Sequence, residues 1–189
     1  MKLNVGCGKN ILLEWVNLDS FPGENVDIVF DLESCGGKQI PLEDNSVEEF
    51  LLSHILEHLR NPLFVMQELY RVAQPNAKMT IRTPYGSSDD AWEDPTHVRP
   101  YFLGSFGYFS QPFYWRADYG YKGDWQVQTI DLLLPKDRFE GQDKGIIISA
   151  IQNSRNVVSE MVTTLTCIKP ARSPLKELQV APDVRINLV

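Results

Sequence analysis

The first residues that could do chemistry are two glycines around a cysteine, five residues from the start of the chain. The stretch LNVGCGK places Gly6, Cys7 and Gly8 directly after a short apolar run. Glycine suits positions where the backbone turns sharply or lies against a ligand. Backbone N–H groups in such a turn can then bind the ligand directly. Tight turns use the same pair of glycines, so the prediction of a ligand site depends on neighbouring residues.

Two carboxylates follow the next two apolar runs. Asp19 ends the run WVNLD, and Asp31 with Leu32 follows VDIVF. A carboxylate at the end of a strand can accept hydrogen bonds from both ribose hydroxyls, as it does in dinucleotide sites. Asp31 can accept from the exocyclic amine of adenine while Leu32 contacts the ring. The two carboxylates therefore predict a ligand that contains adenosine.

The glycine pattern argues against a dinucleotide. It lacks the third glycine of the dinucleotide fingerprint, and no basic residue is placed to pair with a pyrophosphate. We therefore disfavour a doubly wound dehydrogenase. An adenosine ligand without phosphate fits best, which indicates S-adenosylmethionine.

Three histidines are the candidate proton acceptors. His54 follows the apolar run VEEFLLS, where packing against the cofactor is an equal alternative to catalysis. His58, with Glu57, begins the next connection, where a structural role is favoured over catalysis. His97 lies in the stretch EDPTHVRPY, after the fifth predicted strand, and is expected near a methyl acceptor. In that stretch, Asp94 and Arg99 can instead pair with each other.

The stretch HILEH, residues 54–58, also matches the inverted zinc-protease motif H-x-x-E-H. Both histidines of that motif must share one face of a helix. The residues before His54 have the pattern of a strand, so we disfavour a zinc hydrolase and expect no metal.

The elements that must position these residues alternate between strands and helices. Asn61 is placed to cap a helix and Pro62 lies in its first turn. Two long runs near the C terminus predict an antiparallel pair. The sequence thus predicts an α/β fold with a Rossmann-like, doubly wound, mostly parallel sheet, whose carboxyl strand ends form the ligand site. Predicted strands cover 2–5, 15–19, 26–33, 47–54 and 78–84, a predicted helix covers 61–73, and 145–157 is a candidate helix.

The composition is that of a globular protein of 189 residues, with 43% hydrophobic residues and a net charge of −7. That charge argues against nucleic acid as a partner. Three cysteines favour a reduced setting, and we expect a cytoplasmic protein without signal peptide or membrane segment. We predict one domain over 1–170 and a tail over 171–189. Eleven of the twenty aromatic residues lie between 101 and 125, either as an acceptor pocket or lid or as cover for the sheet.

Six stretches in order resemble the motifs of class I S-adenosylmethionine-dependent methyltransferases, and above all their small UbiE or type 11-like group. The resemblance extends over roughly residues 2–100. Several independent motifs in the correct order are far more specific than any one of them. The stretches are LNVGCGK, WVNLD, VFDLE, IPLEDNSVEEFLLSHILEHL, LFVMQELYRVAQPNAKMTIRTP and DPTHVRPY.

The resemblance implies a role for each matching position. It assigns the cofactor to the strand ends, at Gly6, Cys7, Gly8, Asp19, Asp31, Leu32, Ser53 and His54. We add Asn4 and Ser20 as further cofactor contacts. From their chemistry and position, His54 and His97 are the candidate catalytic residues, and the candidate contacts of the methyl acceptor are His58, His97, Arg99 and Tyr101.

The chain departs from the family after the glycine turn. Too few residues separate Gly6 from Asp19 for the usual first helix, which must be short or absent. The turn QPNAK replaces a usual Pro-Gly-Gly turn, and Asn76 can adopt the left-handed backbone that it needs.

The resemblance implies methyl transfer to a small-molecule acceptor at oxygen, nitrogen or carbon. The dense aromatic residues favour an apolar, aromatic or sugar-like acceptor. A subunit that binds the cofactor without catalysis is the main alternative. The sequence does not reveal the oligomeric state.

Overall fold

A computed structural model describes residues 1–189 and contains one eight-stranded sheet. The strand order is β3-β2-β1-β4-β5-β7-β6-β8. Strands β1 to β5 are mutually parallel, whereas β7 runs antiparallel to both β5 and β6. The predicted fold class is confirmed. The strands are β1 Lys2–Val5, β2 Val16–Asp19, β3 Ile28–Val29, β4 Val47–Ser53, β5 Ala73–Pro84, β6 Trp125–Leu134, β7 Glu160–Cys167 and β8 Asp183–Leu188.

Helices are few and mostly short. None of them is both long and apolar enough to span a bilayer. The α-helices are α1 Pro62–Val72, α2 Asp90–Glu93, α3 Lys136–Phe139 and α4 Lys144–Asn153. The 3₁₀ helices are Leu32–Gly36, Leu56–His58, Ser105–Phe109, Gln111–Trp115 and Lys176–Leu178.

Helix α1 covers one face of the sheet because its apolar residues recur at helical spacing. Val65, Met66 and Leu69 are fully buried. The indole of Trp125, on β6, donates to the carbonyl of Met66 at 3.0 Å and meets the ring of Phe50 edge-on. Asn61 occupies the predicted cap position, but its side chain makes no capping hydrogen bond. The position was predicted correctly and the capping bond was not.

The opposite face of the sheet carries a row of polar side chains. Register aligns Lys2, Glu49 and Lys78 across β1, β4 and β5, and continues to Thr166 on β7. Lys2 pairs with Glu49 at 2.8 Å, and Lys78 donates to the Thr166 hydroxyl at 2.9 Å. Parallel strands are usually covered on both faces. The polar row stabilises a parallel sheet that meets solvent on this face.

No helix connects β1 to β2, in agreement with the predicted departure from the family. Instead, the amide of Asn4 donates to the carbonyl of Asn10 at 2.8 Å and to the side chain of Asn17 at 2.9 Å. These buried bonds hold a helix-free connection against the sheet. The third strand is much shorter than predicted, and covers only Ile28–Val29.

A buried ion pair attaches the C-terminal residues to the core. Asp124 is fully buried and accepts three hydrogen bonds from Arg172, one from the backbone N–H at 3.0 Å and two from the guanidinium at 2.8 and 2.9 Å. Nη2 of Arg172 also donates to the hydroxyl of Ser110 at 2.9 Å. Beyond Arg172, β8 pairs in parallel with β6 and extends the sheet edge. The predicted division at 170 stays a prediction.

We predict that Arg172→Leu lowers the free energy of unfolding by about 3–5 kcal/mol, because it leaves the Asp124 carboxylate buried and unpaired. Arg185→Leu is the matched control, since Arg185 and its partner Asp183 are both more than half exposed. Its cost should stay below about 1 kcal/mol. Urea denaturation of the two variants measures the difference, and equal losses would contradict a stabilising role for the buried pair.

Candidate functional site

The turn after β1 is held by one carbonyl of the neighbouring strand. The N–H groups of Gly6 and Cys7 both donate to the Leu18 carbonyl, at 2.8 and 3.0 Å. Gly6 has a φ of +67° and Gly8 a φ of +50°, both in the left-handed region that favours glycine. The two glycines therefore set the direction in which the chain leaves the sheet.

The two glycines differ in what lies above them. A Cβ at Gly6 would lie 2.6 Å from a side-chain carbon of Ile55, so the protein's own side chain occupies that space. A Cβ at Gly8 would meet nothing within 4 Å. Gly6 is thus required for packing as well as for the turn. Gly8 leaves its backbone open on the side where a ligand can rest.

Asp19 fixes the open glycine. Its carboxylate accepts from the N–H of Gly8 at 2.8 Å and from the N–H of Phe21 at 3.0 Å. The hydroxyl of Ser20 lies 3.4 Å from the same carboxylate. Each carboxylate oxygen can accept a further hydrogen bond. Asp19 therefore shapes the turn and retains acceptor capacity for a ribose.

Asp31 and Leu32 follow β3, as the sequence predicts, but also have roles within the chain. The Asp31 carboxylate accepts from the N–H of Glu33 at 3.0 Å and caps the 3₁₀ helix Leu32–Gly36. Leu32 is 5% exposed and packs in the core. The carboxylate is exposed, so it is available to a ligand, whereas the Leu32 side chain mainly supports the floor of the site.

Three other predicted cofactor residues are less open. Asn4 is 2% exposed and is engaged with Asn10 and Asn17, so its role is to hold the first connection. Cys7 is buried, and burial together with the Asp19 charge raises the pKa of its thiol. Ser53 is partly exposed at the end of β4. The cofactor roles of all three remain predictions.

His54 directly follows β4 with a φ of +53°, which is uncommon for a residue with a side chain. Its Nδ1 lies 3.3 Å from Glu57, and its Nε2 lies 3.0 Å from Glu160, which also binds Arg82. Contact with Glu57, which outweighs burial, raises the pKa of the imidazole. Both ring nitrogens of His54 face carboxylates of the chain, and its catalytic role stays a prediction.

The structure brings His58 and His97 together, although they lie on different connections. Their rings meet edge-on with centroids 4.7 Å apart. Nδ1 of His58 lies 2.9 Å from the hydroxyl of Thr96, which donates to Asp94 at 2.6 Å. Asp94 thus binds Thr96 and approaches His97, and the ion pair with Arg99 that the sequence allowed is absent.

The stretch HILEH does not form an α-helix. His54 follows the last residue of β4, and the 3₁₀ helix Leu56–His58 is too short to place His54 and His58 on one helix face. His54 instead contacts Glu57 and Glu160. The arrangement that a zinc hydrolase of this motif needs is therefore not formed.

A cavity of about 610 Å³ lies between the start of α1 and the aromatic segment. Two predicted acceptor residues, Arg99 and Tyr101, line it. Arg60 also lines the cavity. The sequence did not predict this position, because nothing in the spacing of Arg60 distinguishes it from other surface arginines. The aromatic side chains of the wall are Phe64, Tyr101, Tyr108, Phe109, Tyr114, Tyr119 and Tyr121.

The cavity is electrically unusual in a chain with net charge −7. The guanidinium groups of Arg60 and Arg99 make no ion pair or hydrogen bond with the chain. Tyr121 and Tyr114 are buried and stacked, with their hydroxyls bonded to the carbonyls of Phe109 and Tyr108. The cavity therefore combines aromatic walls with two unpaired positive charges.

We predict that Gly6→Ala and Gly8→Ala differ in their effect on stability. Gly6→Ala should lower the free energy of unfolding by about 2–4 kcal/mol, because the left-handed φ and the clash with Ile55 add. Gly8→Ala meets no atom and should cost about 1 kcal/mol. Chemical denaturation compares the two, and an equal or reversed order would contradict the assignment of Gly8 as the open position.

Comparison with known proteins agrees with this geometry. Residues 19–81, one third of the chain, match the sequence model of the family described as Methyltransferase domain. That match runs from the end of β2 into β5 and leaves the glycine turn outside. No curated protein matches.

Solved structures share the fold over most of the chain. A SAM-dependent methyltransferase from Archaeoglobus fulgidus is 15% identical, with a TM-score of 0.58, and the match covers 87% of this chain and 85% of that one. A complex of the Haloferax volcanii Trm112 methyltransferase activator with a methyltransferase gives 12% identity, a TM-score of 0.55, and coverages of 90% and 83%. The [4+2]-cyclase SpnF is 12% identical, with a TM-score of 0.52, and the match covers 88% of this chain and 74% of that one. The resemblance to class I methyltransferases is confirmed in the sequence of residues 19–81 and in the fold, and the Archaeoglobus fulgidus neighbour is named for the cofactor that we predict.

Proposed function

We propose that this chain, a class I S-adenosylmethionine-dependent methyltransferase by fold and by sequence match, methylates a small-molecule acceptor held in the aromatic cavity. The observation that carries the proposal is the open backbone at Gly8 beside Asp19, at the carboxyl ends of β1 and β2. In a doubly wound sheet, ligands bind at those strand ends next to the point where the strand order reverses.

The residues at the strand ends fit the cofactor. Asp19 has acceptor capacity for the ribose hydroxyls, and the exposed Asp31 carboxylate can accept from the adenine amine. The backbone at Gly8 is open on the ligand side because no side chain covers it. When bound, the cofactor supplies a methyl group on an activated sulfonium. The contribution of the chain is to orient that group and the acceptor in line, which lowers the entropic cost of the reaction.

The lining of the cavity supports one class of acceptor. Aromatic walls bury an apolar or aromatic body. Two unpaired guanidinium groups, from Arg60 and Arg99, favour a carboxylate or phosphate, which they bind with charge-assisted hydrogen bonds. We therefore propose a small aromatic or apolar acceptor that carries an anionic group.

A subunit without methyl transfer is the second candidate. One structural neighbour is named as a cyclase, and another is in complex with an activator protein. The two ring nitrogens of His54 face Glu57 and Glu160, so neither of them is directed freely toward an acceptor. An acceptor that needs no deprotonation, or an activating partner, is compatible with this site. Detection of S-adenosylhomocysteine formed with an acceptor would exclude a purely binding role.

We predict that Asp19→Ala weakens binding of S-adenosylmethionine by about 1–3 kcal/mol, roughly 5-fold to 150-fold, through lost charged hydrogen bonds. Glu24→Ala is the control, because Glu24 is an exposed carboxylate in the same connection without hydrogen bonds. Asp19→Asn keeps an acceptor oxygen for the turn and should be intermediate. Calorimetric titration measures all three affinities, and an unchanged affinity of Asp19→Ala would refute the ribose contact.

We predict that purified protein transfers a radiolabelled methyl group to small aromatic carboxylates or phosphates, and about tenfold less to their neutral amides or esters. Arg99→Gln should reduce transfer to the anionic acceptor while it leaves affinity for the cofactor unchanged. Arg116→Gln is the control, because Arg116 stacks on Trp115 outside the cavity wall. Equal transfer to charged and neutral acceptors would contradict the anionic acceptor.

A further inference from the structure

A buried carboxylate and two imidazoles converge where the connection after β4 meets the loop that follows α2. Glu57, His58 and His97 each offer a ligand atom, and these atoms all lie within 4.8 Å of one another. Two of the three residues come from the 3₁₀ helix Leu56–His58, and the third from the loop after α2. The main chain joins the two segments, because the N–H of Val98 donates to the carbonyl of Glu57 at 2.9 Å.

Two of these side chains have no hydrogen-bond partner within the chain although they are buried. Glu57 is 2% exposed, and neither of its carboxylate oxygens makes a hydrogen bond. Nδ1 of His97 is also buried without a partner, on a side chain that is 9% exposed. The nearest cation to Glu57 is His54, which shares its charge with Glu160. A buried carboxylate without hydrogen bonds is costly, and the imidazole of His54 satisfies it only in part, so these atoms point to a further positively charged ligand.

The imidazole of His58 is already oriented. Nδ1 of His58 lies 2.9 Å from the Thr96 hydroxyl, and Thr96 donates its own proton to Asp94. Thr96 must therefore accept the Nδ1–H of His58, which leaves the lone pair of His58 on Nε2. Nε2 makes no hydrogen bond in the structure. Histidines that bind metals have the same arrangement, with the second nitrogen fixed by a hydrogen bond to an oxygen.

We propose that Glu57, His58 and His97 form a binding site for a divalent transition-metal ion of the zinc class. Two imidazoles with one carboxylate are a ligand set that zinc accepts while a fourth position stays open. Hard cations such as Mg²⁺ prefer oxygen ligands, so two imidazoles select against them.

The geometry requires only a small closure. Ligands of tetrahedral zinc at about 2.1 Å lie about 3.4 Å apart. The ligand atoms here are at most 4.8 Å apart, so side-chain rotation of His58 and His97 can bring them together. Both segments continue into the aromatic cavity, through Arg60 on one side and Arg99 on the other. A bound ion would therefore fix the two walls of the cavity relative to each other.

The site is tested with Zn²⁺ alone, titrated calorimetrically into metal-free protein without cofactor or acceptor. We expect one equivalent to bind, and to raise the thermal unfolding temperature. We also expect Mg²⁺ to produce neither effect at the same concentration. His97→Ala and His58→Ala should each weaken Zn²⁺ binding by roughly 100-fold or more. Thr96→Val, which removes only the orienting bond, should weaken it by roughly 10-fold to 100-fold.

His54→Ala is the matched control, because it removes the remaining histidine, which is not a ligand in this proposal. Zn²⁺ affinity that survives in His54→Ala and is lost in His97→Ala supports the site. Absence of binding to the wild type, or equal binding to the wild type and His97→Ala, overturns it. If His54→Ala loses Zn²⁺ affinity while His97→Ala retains it, the proposal is also overturned, since the ion would then be bound by the histidines of HILEH, residues 54–58. His58→Ala, at a partly exposed position, keeps the test decisive if His97→Ala fails to fold.

This inference does not depend on methyl transfer. A protein that binds Zn²⁺ as described but transfers no methyl group would leave the metal site intact and refute the proposed function. A protein that methylates an acceptor but binds no Zn²⁺ would do the reverse.

Discussion

The left-handed turn between β1 and the helix-free connection that follows determines the geometry of the whole site. One carbonyl, that of Leu18, accepts from both Gly6 and Cys7, and one carboxylate, that of Asp19, accepts from Gly8. These bonds join the ends of two neighbouring parallel strands in place of a helix. The same carboxylate that closes the turn is the group assigned to the ribose. Shape and ligand chemistry at this edge therefore depend on the same few atoms.

Loss of the first helices changes the sheet as a whole. Parallel strands normally need cover on both faces. Here one face is covered by α1 and the aromatic core, whereas the other carries Lys2, Glu49, Lys78 and Thr166 in register across four strands. Charged and hydroxyl pairs make that face compatible with water. The strand ends that carry the site remain aligned although no α-helix lies between β1, β2 and β3.

Features of the fold that depend on a local residue pattern could be predicted from the sequence. The spacing of apolar residues predicted α1, and the ends of the apolar runs predicted the positions of Asp19 and Asp31. Asn76 adopts the left-handed backbone predicted for its turn, with φ of +66°. Contacts between distant segments could not be predicted in this way. The meeting of His58 with His97, the approach of Ile55 to Gly6, and the position of Arg60 in the cavity wall all depend on how elements pack.

The central claim is that S-adenosylmethionine binds across the carboxyl ends of β1, β2 and β3. A crystal structure of the protein with S-adenosylhomocysteine tests it most directly. We predict density for the nucleoside over Gly8, with both ribose hydroxyls within hydrogen-bond distance of the Asp19 carboxylate. A nucleoside bound elsewhere, or none at saturating ligand concentration, would contradict the account.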